Sequence, residues 1–169
     1  QDMEFINSDI SELITDSKDG LIRVAEIVKG LKLFSRVDSD EMQSYNLNDC
    51  VRTTLAMVNN QLKYICSVET HLGSIPHIMM NMGKISQVVT NLLINAGQAI
   101  ESTGVQGTIT ITTRELDGYI ELSVQDTGCG IESSHLDKLF NPFFTTKPEG
   151  QGTGLGLSIS FGIAQEHGG

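Results

Sequence analysis

Between residues 83 and 101 the sequence runs GKISQVVTNLLINAGQAIE, and its polar residues are unusual in kind. On a helix, Gln87, Asn91, Asn95 and Gln98 fall within an arc of about 80°. The opposite side collects Ile85, Val88, Val89, Leu92, Leu93, Ala96, Ala99 and Ile100. A solvated helix face is normally built from Lys and Glu. This one carries amides only, although Asn is a poor helix former. Asn91 and Asn95, one turn apart, set two side-chain carbonyl oxygens next to each other. Such oxygens suit a hard cation or a chain of water. A neutral surface stripe accounts for the same pattern, and the stripe alone does not choose between them.

A second candidate is Asp126. The segment before it alternates Ile120, Leu122 and Val124 with Glu121, Ser123 and Gln125. Continuing that period puts Asp126 on the apolar side. A carboxylate there is costly unless paired, and no Lys or Arg is adjacent in sequence. An N–H donor on a ligand would satisfy it; a turn in which Asp126 caps local amides would do so too. Gly128 and Gly130 permit either arrangement, and also a flat ring close to the backbone. The third candidate is GQGTGLGLSIS, where Gly150, Gly152, Gly154 and Gly156 lead into a helix. Amides at a helix N-terminus favour phosphate. The segment is neither a Walker A loop nor a G-x-G-x-x-G fingerprint.

These residues need elements to carry them. Heptad spacing at Met3, Ile6, Ile10, Leu13, Ser17, Gly20, Val24, Ile27, Leu31 and Phe34 predicts a long helix over 1–37. Ile14, Leu21 and Val28 widen its apolar stripe toward a four-helix bundle. Polar, acidic VDSDEMQSYN predicts a linker over 38–46. Asn48 is expected to cap a helix to about Lys63, with two short strands between Cys66 and Met80, broken around Gly73 and Pro76. After the amide-bearing helix, strands at about 108–115 and 119–125 join at Asp117-Gly118, a favoured hairpin turn. The chain is irregular and Gly-rich from Asp126 to Gly154, and a last helix starts near Gly154. The predicted fold is α+β: a two-layer sandwich of helices on a mostly antiparallel sheet, preceded by the coiled-coil-like helix.

Composition narrows the function. A net charge of −10 argues against a nucleic-acid surface. It does not exclude ATP, which backbone amides, a few cations and Mg²⁺ can hold. Three widely spaced cysteines without a CxxC suggest neither zinc nor a disulfide framework and fit a reducing cytoplasm. No run is apolar enough to span a bilayer, so any membrane attachment is expected only through other parts of a parent protein.

Together the segments resemble the ATP-binding catalytic domain of sensor histidine kinases, within the wider group of gyrase, Hsp90 and MutL (a Bergerat-type ATPase fold). The matching boxes are NLLINAGQAI (N box, 91–100), DTGCGI (G1, 126–131), FNPFFTTK (F, 140–147) and GTGLGLSIS (G2, 152–160). Four motifs in the family's order are far more specific than any one. The resemblance implies an ATP site with Asp126 on the adenine amino group, Gly130 against the ring, and Gly128, Ile131 and Ile94 around it. It implies Asn95 on Mg²⁺, with Asn91 and Gln98 beside it, and Asn91 and Asn95 as the catalytic pair. Gly152, Thr153, Gly154, Leu155, Gly156 and Leu157 would line the phosphates. A lid over 131–153 would carry Phe140, Phe143 and Phe144 as anchors, and Lys147 within reach of a phosphate. Local core packing is the plainer account for at least one of those Phe residues.

By the same resemblance, 1–37 is the second helix of a dimerisation bundle and would mediate a homodimer. The first bundle helix with its phosphoacceptor His is missing. Residues 47–169 read as a catalytic domain truncated at its C-terminus, since the family continues into further strands. The implied reaction transfers the γ-phosphoryl of ATP to that missing His, for relay to the Asp of a response-regulator receiver domain. The alternatives are a pseudokinase module in which nucleotide only sets conformation, and a gyrase- or Hsp90-like ATPase. The last needs a Glu general base where this chain has Asn91.

Overall fold

A computed structural model describes residues 41–148 and 152–169. The helix and dimer contact expected over 1–37, the first part of the 38–46 linker, and Gly150 lie outside the described residues.

The elements run β1 (Gln43–Tyr45), α1 (Leu47–Leu62), β2 (Cys66–Leu72), β3 (Ile78–Met80), α2 (Met82–Glu101), β4 (Gly107–Leu116), β5 (Tyr119–Asp126) and α3 (Gly156–Glu166). A 3₁₀ turn at Ser133–Lys138 interrupts the long irregular stretch. The described fold is α+β, with α2 packed on β4 and β5, α1 beside α2 on one side and α3 on the other.

The α+β expectation holds, with one parallel pair among the strands. β4 pairs antiparallel with β5, but β2 lies parallel to β4, so the three-stranded sheet, ordered β2-β4-β5, is mixed. The crossover from β2 to β4 contains α2, the connection a parallel pair requires. Gln43–Tyr45, read as the end of a linker, is a strand: β1 pairs antiparallel with β3 as a separate ribbon. The cap of α1 is Asn46, not Asn48; its side chain accepts from the Asn48 amide at 2.9 Å. Asn48 is instead a buried bridge. It donates to the Gly73 carbonyl at 2.9 Å and accepts from the Thr113 hydroxyl at 2.6 Å, tying α1 to the sheet.

Period and chemistry explain the layers. Val89, Leu93, Ala96 and Ile100 of α2 are buried against Ile109 and Ile111 of β4 and against Val51, Val58 and Leu62 of α1. Burying each large side chain is worth about 1.5–3 kcal/mol. Gly97 lets the two helices close: a Cβ there would lie 2.7 Å from Leu62 Cδ2. The β4–β5 hairpin turns at Asp117 (φ 51°) and Gly118 (φ 83°), the two left-handed residues of a type I′ turn. No helix among the described residues is long and apolar enough to cross a membrane.

Candidate nucleotide-binding site

The amide stripe on α2 is not a solvated face. Gln87, Asn91, Asn95 and Gln98 are all half-buried; α3 bonds to Asn91, and Lys147 bonds to Asn95 and Gln98. The Asn91 side-chain nitrogen donates to the Gly156 carbonyl at 3.1 Å and to the Ser160 hydroxyl at 3.2 Å. These bonds hold the start of α3 against the middle of α2. Asn95 Oδ1 accepts from Lys147 Nζ at 3.0 Å, and Gln98 Oε1 accepts from the same ammonium. Two neutral oxygens one turn apart thus converge on a single positive charge. The set suits a hard cation, which prefers oxygen ligands. Partial burial pushes the Lys147 ammonium below its usual lysine range.

The first turn of α3 meets α2 at Asn91, one helical turn before Asn95. The N-cap residue of α3, Leu155, makes no side-chain cap bond, so among the described residues no side chain accepts from its leading amides. Such an end favours anions. Gly156 packs on Asn91, its Cβ position 3.6 Å from the side-chain carbon. Just ahead, Gly154 (φ 66°) touches Phe143 (φ 67°), and the Phe143 amide donates to the Gly154 carbonyl at 2.9 Å. A Cβ at Gly154 would lie 2.3 Å from the Phe143 carbonyl carbon, so only glycine fits. The F and G2 boxes are therefore joined backbone to backbone. Thr153 is exposed, and its hydroxyl accepts from the Leu155 amide at 3.4 Å; Gly152 sits against Thr145 and Lys147, while Leu157 is half-buried.

Asp126 pairs in register with Ile109, as Val124 does with Ile111, which puts it on the apolar face as the alternation predicts. It stands at the open end of that face, exposed, and its Oδ1 accepts from the Gly128 amide at 2.8 Å. The local-cap arrangement is present, and it engages one carboxylate oxygen. Gly128 serves packing: a Cβ would lie 2.5 Å from the Ala99 carbonyl carbon. The Cys129 amide also donates to Ala99 O at 3.1 Å, pinning the Asp126–Gly130 loop to α2 next to Gln98. Gly130 has φ 72° and open space around it; Ile131 is exposed. Ile94 packs against the core cluster.

The Phe residues divide. The Phe140 ring lies 5.0 Å from that of Phe161 on α3, and Phe144 lies 5.6 Å from His135. Phe143 is 74% exposed. Sequence reasoning missed Ser160 and the His167 clasp. Ser160 follows Gly156 by one turn, which is the available signal for its place beside Asn91. His167 Nε2 accepts from the Asn81 amide at 3.0 Å while Nδ1 lies 2.7 Å from the Ile163 carbonyl. It is a half-buried joint between α3 and the cap of α2, not the surface histidine its terminal Gly-Gly neighbours suggest.

Sequence similarity decides the family. Residues 81–169, more than half the chain, match the histidine kinase-, DNA gyrase B-, and HSP90-like ATPase family. The chain belongs to this family. Within it, the likeness runs to histidine kinases. The chain is 32% identical to the catalytic domain of the histidine kinase ThkA, covering 76% of this chain and 85% of that domain with a TM-score of 0.67. ThkA in complex with the response regulator protein TrrA is 28% identical over 90% of this chain and 43% of that one, with a TM-score of 0.68. Sensor histidine kinase ZraS of Escherichia coli (strain K12) is 33% identical over 171 residues, 95% of this chain. The chain spans about a third of that relative's length, 33%. It contains a histidine kinase ATP-binding catalytic domain of the ATPase family.

Proposed function

We propose that this domain binds Mg·ATP and donates its γ-phosphoryl group to a histidine on a dimerisation helix outside the described residues, for relay to a receiver-domain aspartate. The observation that carries the reading is the Lys147 ammonium held by Asn95 and Gln98 oxygens, one turn along α2 from Asn91, which holds the start of α3. A cation site beside an anion site is what a metal-bound polyphosphate requires.

The parts then take defined tasks. Asp126 accepts from the adenine amino group through its carboxylate, and Gly130 leaves the ring room to approach, with Gly128, Ile131 and Ile94 nearby. The amides of Gly152, Thr153, Gly154, Leu155, Gly156 and Leu157 receive the phosphates. Asn95 is the metal ligand, with Asn91 and Gln98 beside it; Phe140 secures the approach to α3. When bound, Mg²⁺ neutralises phosphate charge and aligns the leaving group. The rest is positioning: Asn91 fixes α3, and Lys147 is available to a phosphate oxygen.

Transfer to histidine is favoured over hydrolysis because α2 bears no carboxylate from Met82 to Ile100. Asn91 cannot take a proton from water, and its nitrogen is committed to Gly156 and Ser160. The acceptor is also not one of the described histidines. His167 has both ring nitrogens engaged, His135 packs on Phe144, and His71 and His77 lie in or beside strands. The complex of ThkA with a response regulator supports a receiver domain as the partner here. Dimerisation through 1–37 and a cytoplasmic site of action belong to the same reading. Calorimetric titration of ATP with and without Mg²⁺ tests it: tight binding that depends on Mg²⁺ is expected, and no binding contradicts it.

A further inference from the structure

We infer that Asn95 and Gln98 form one cation site for which the Lys147 ammonium and a divalent metal compete. The inference rests on the Mg·ATP reading above but adds Gln98 as a metal ligand and Lys147 as the metal's internal competitor.

Asn95 and Gln98 are three residues apart on α2 and present their carbonyl oxygens on one side. Both oxygens already contact a single Nζ atom, so both reach one point in space. Neither side chain carries charge, so nothing in the pair distinguishes an ammonium from a metal except size and ligand number. An ammonium and a metal cannot share that point, because their like charges repel across a partly desolvated gap. Lys147 is held there from two directions. Its own amide donates to the Thr145 hydroxyl at 3.2 Å, and its stem lies along Gly152, with Cδ 3.2 Å from that residue's Cβ position.

The protein itself supplies a positive charge to this pair, so free divalent metal is disfavoured. A metal that enters must displace the ammonium, and the displaced charge stays near Gly152, in the glycine segment proposed above to receive phosphates, where phosphate oxygens can take it up. A single exchange thus couples metal entry to phosphate capture.

The test uses Mn²⁺ as the probe, with free Mn²⁺ followed by electron paramagnetic resonance. The full chain is titrated without nucleotide as parent, Lys147→Met and the double variant Lys147→Met/Gln98→Ala. Lys147→Met keeps the stem and removes the charge. Relief of competition predicts Mn²⁺ affinity about tenfold higher in Lys147→Met, or about 1.4 kcal/mol. The gain should vanish in the double variant. Equal Mn²⁺ binding by parent and Lys147→Met, including none by either, overturns the exchange. A gain that survives Gln98→Ala overturns the assignment of Gln98. Calorimetric titration of Mg·ATP into the same parent sample separates this outcome from failure of the nucleotide reading: tight Mg·ATP binding with no change in Mn²⁺ affinity sinks the exchange alone. Circular dichroism on each variant establishes that it is folded.

Discussion

Replacing Gly128 by alanine should damage both folding and nucleotide binding, and the contacts set the size of each effect. An alanine Cβ would lie 2.5 Å from the Ala99 carbonyl carbon, 2.6 Å from its Cβ and 2.7 Å from its oxygen. Carbon atoms pack at about 3.5–4.0 Å, so the loop must retreat by roughly 1 Å. The obstacle is helix backbone and cannot give way. The Cys129 amide, 3.1 Å from Ala99 O, then moves beyond hydrogen-bond range. Losing that bond costs about 1 kcal/mol, and residual overpacking about 1–3 kcal/mol. The loop is partly exposed and has room to retreat, so a total near the low end, about 2 kcal/mol, is expected. That corresponds to a fall in Tm of about 4–8 °C for a domain of this size. Retreat carries Asp126 with it, because its carboxylate is tied to the Gly128 amide at 2.8 Å. ADP affinity should therefore fall by more than about tenfold. Urea unfolding and calorimetric ADP titration measure the two effects. A variant with parental stability and parental ADP affinity would refute the claim that loop-to-helix packing positions Asp126.

Three further outcomes are expected. Asp126→Asn should remain folded and weaken ATP and ADP binding, since a charge-assisted bond is worth roughly 1.5–3 kcal/mol; unchanged calorimetric affinity removes Asp126 from the site. Asn95→Ala should abolish most of the Mg²⁺ enhancement of ATP affinity, and an enhancement equal to the parent's, in paired titrations, rules out its metal role. In the native protein a thiol-alkylating reagent should modify exposed Cys129 and spare Cys50 and Cys66. Burial raises the pKa of both of the latter, so they hold less thiolate at any given pH. Peptide mapping that finds Cys50 or Cys66 labelled as fast as Cys129 would contradict that packing.

What is legible in the sequence is mostly what local chemistry dictates. The type I′ turn at Asp117-Gly118, the limits of α2 and the side of the sheet that carries Asp126 all follow from residue preferences or from periods of 2 and 3.6. What escapes depends on contacts distant in the chain. Gln43–Tyr45 is too short and polar to signal a strand and becomes one only against Ile78–Met80. Parallel pairing of β2 with β4 is a property of the crossover, not of either strand's pattern. Asn46 and Asn48 are both good caps, and Asn48 is taken from that task by Gly73 and Thr113. The site divides the same way. The amide stripe and the glycines stand out by composition, whereas the grip of Asn95 and Gln98 on Lys147 spans about fifty residues of sequence, 52 and 49. His167 stands before two glycines, a setting that suggests a surface turn, yet its ring closes the joint between α3 and Asn81.

The central claim is that this domain carries ATP chemistry to a histidine it does not itself supply. The direct measurement is transfer of label from γ-labelled ATP, with Mg²⁺, to an added histidine-bearing dimerisation segment, under conditions that preserve acid-labile phosphohistidine. Label is expected on the added segment, none on His71, His77, His135 or His167, and transfer should be lost with Asn95→Ala. Tight Mg·ATP binding without any transfer would contradict the kinase assignment, and stable label on one of those four histidines, abolished by its change to Gln, would contradict the claim that the acceptor lies elsewhere.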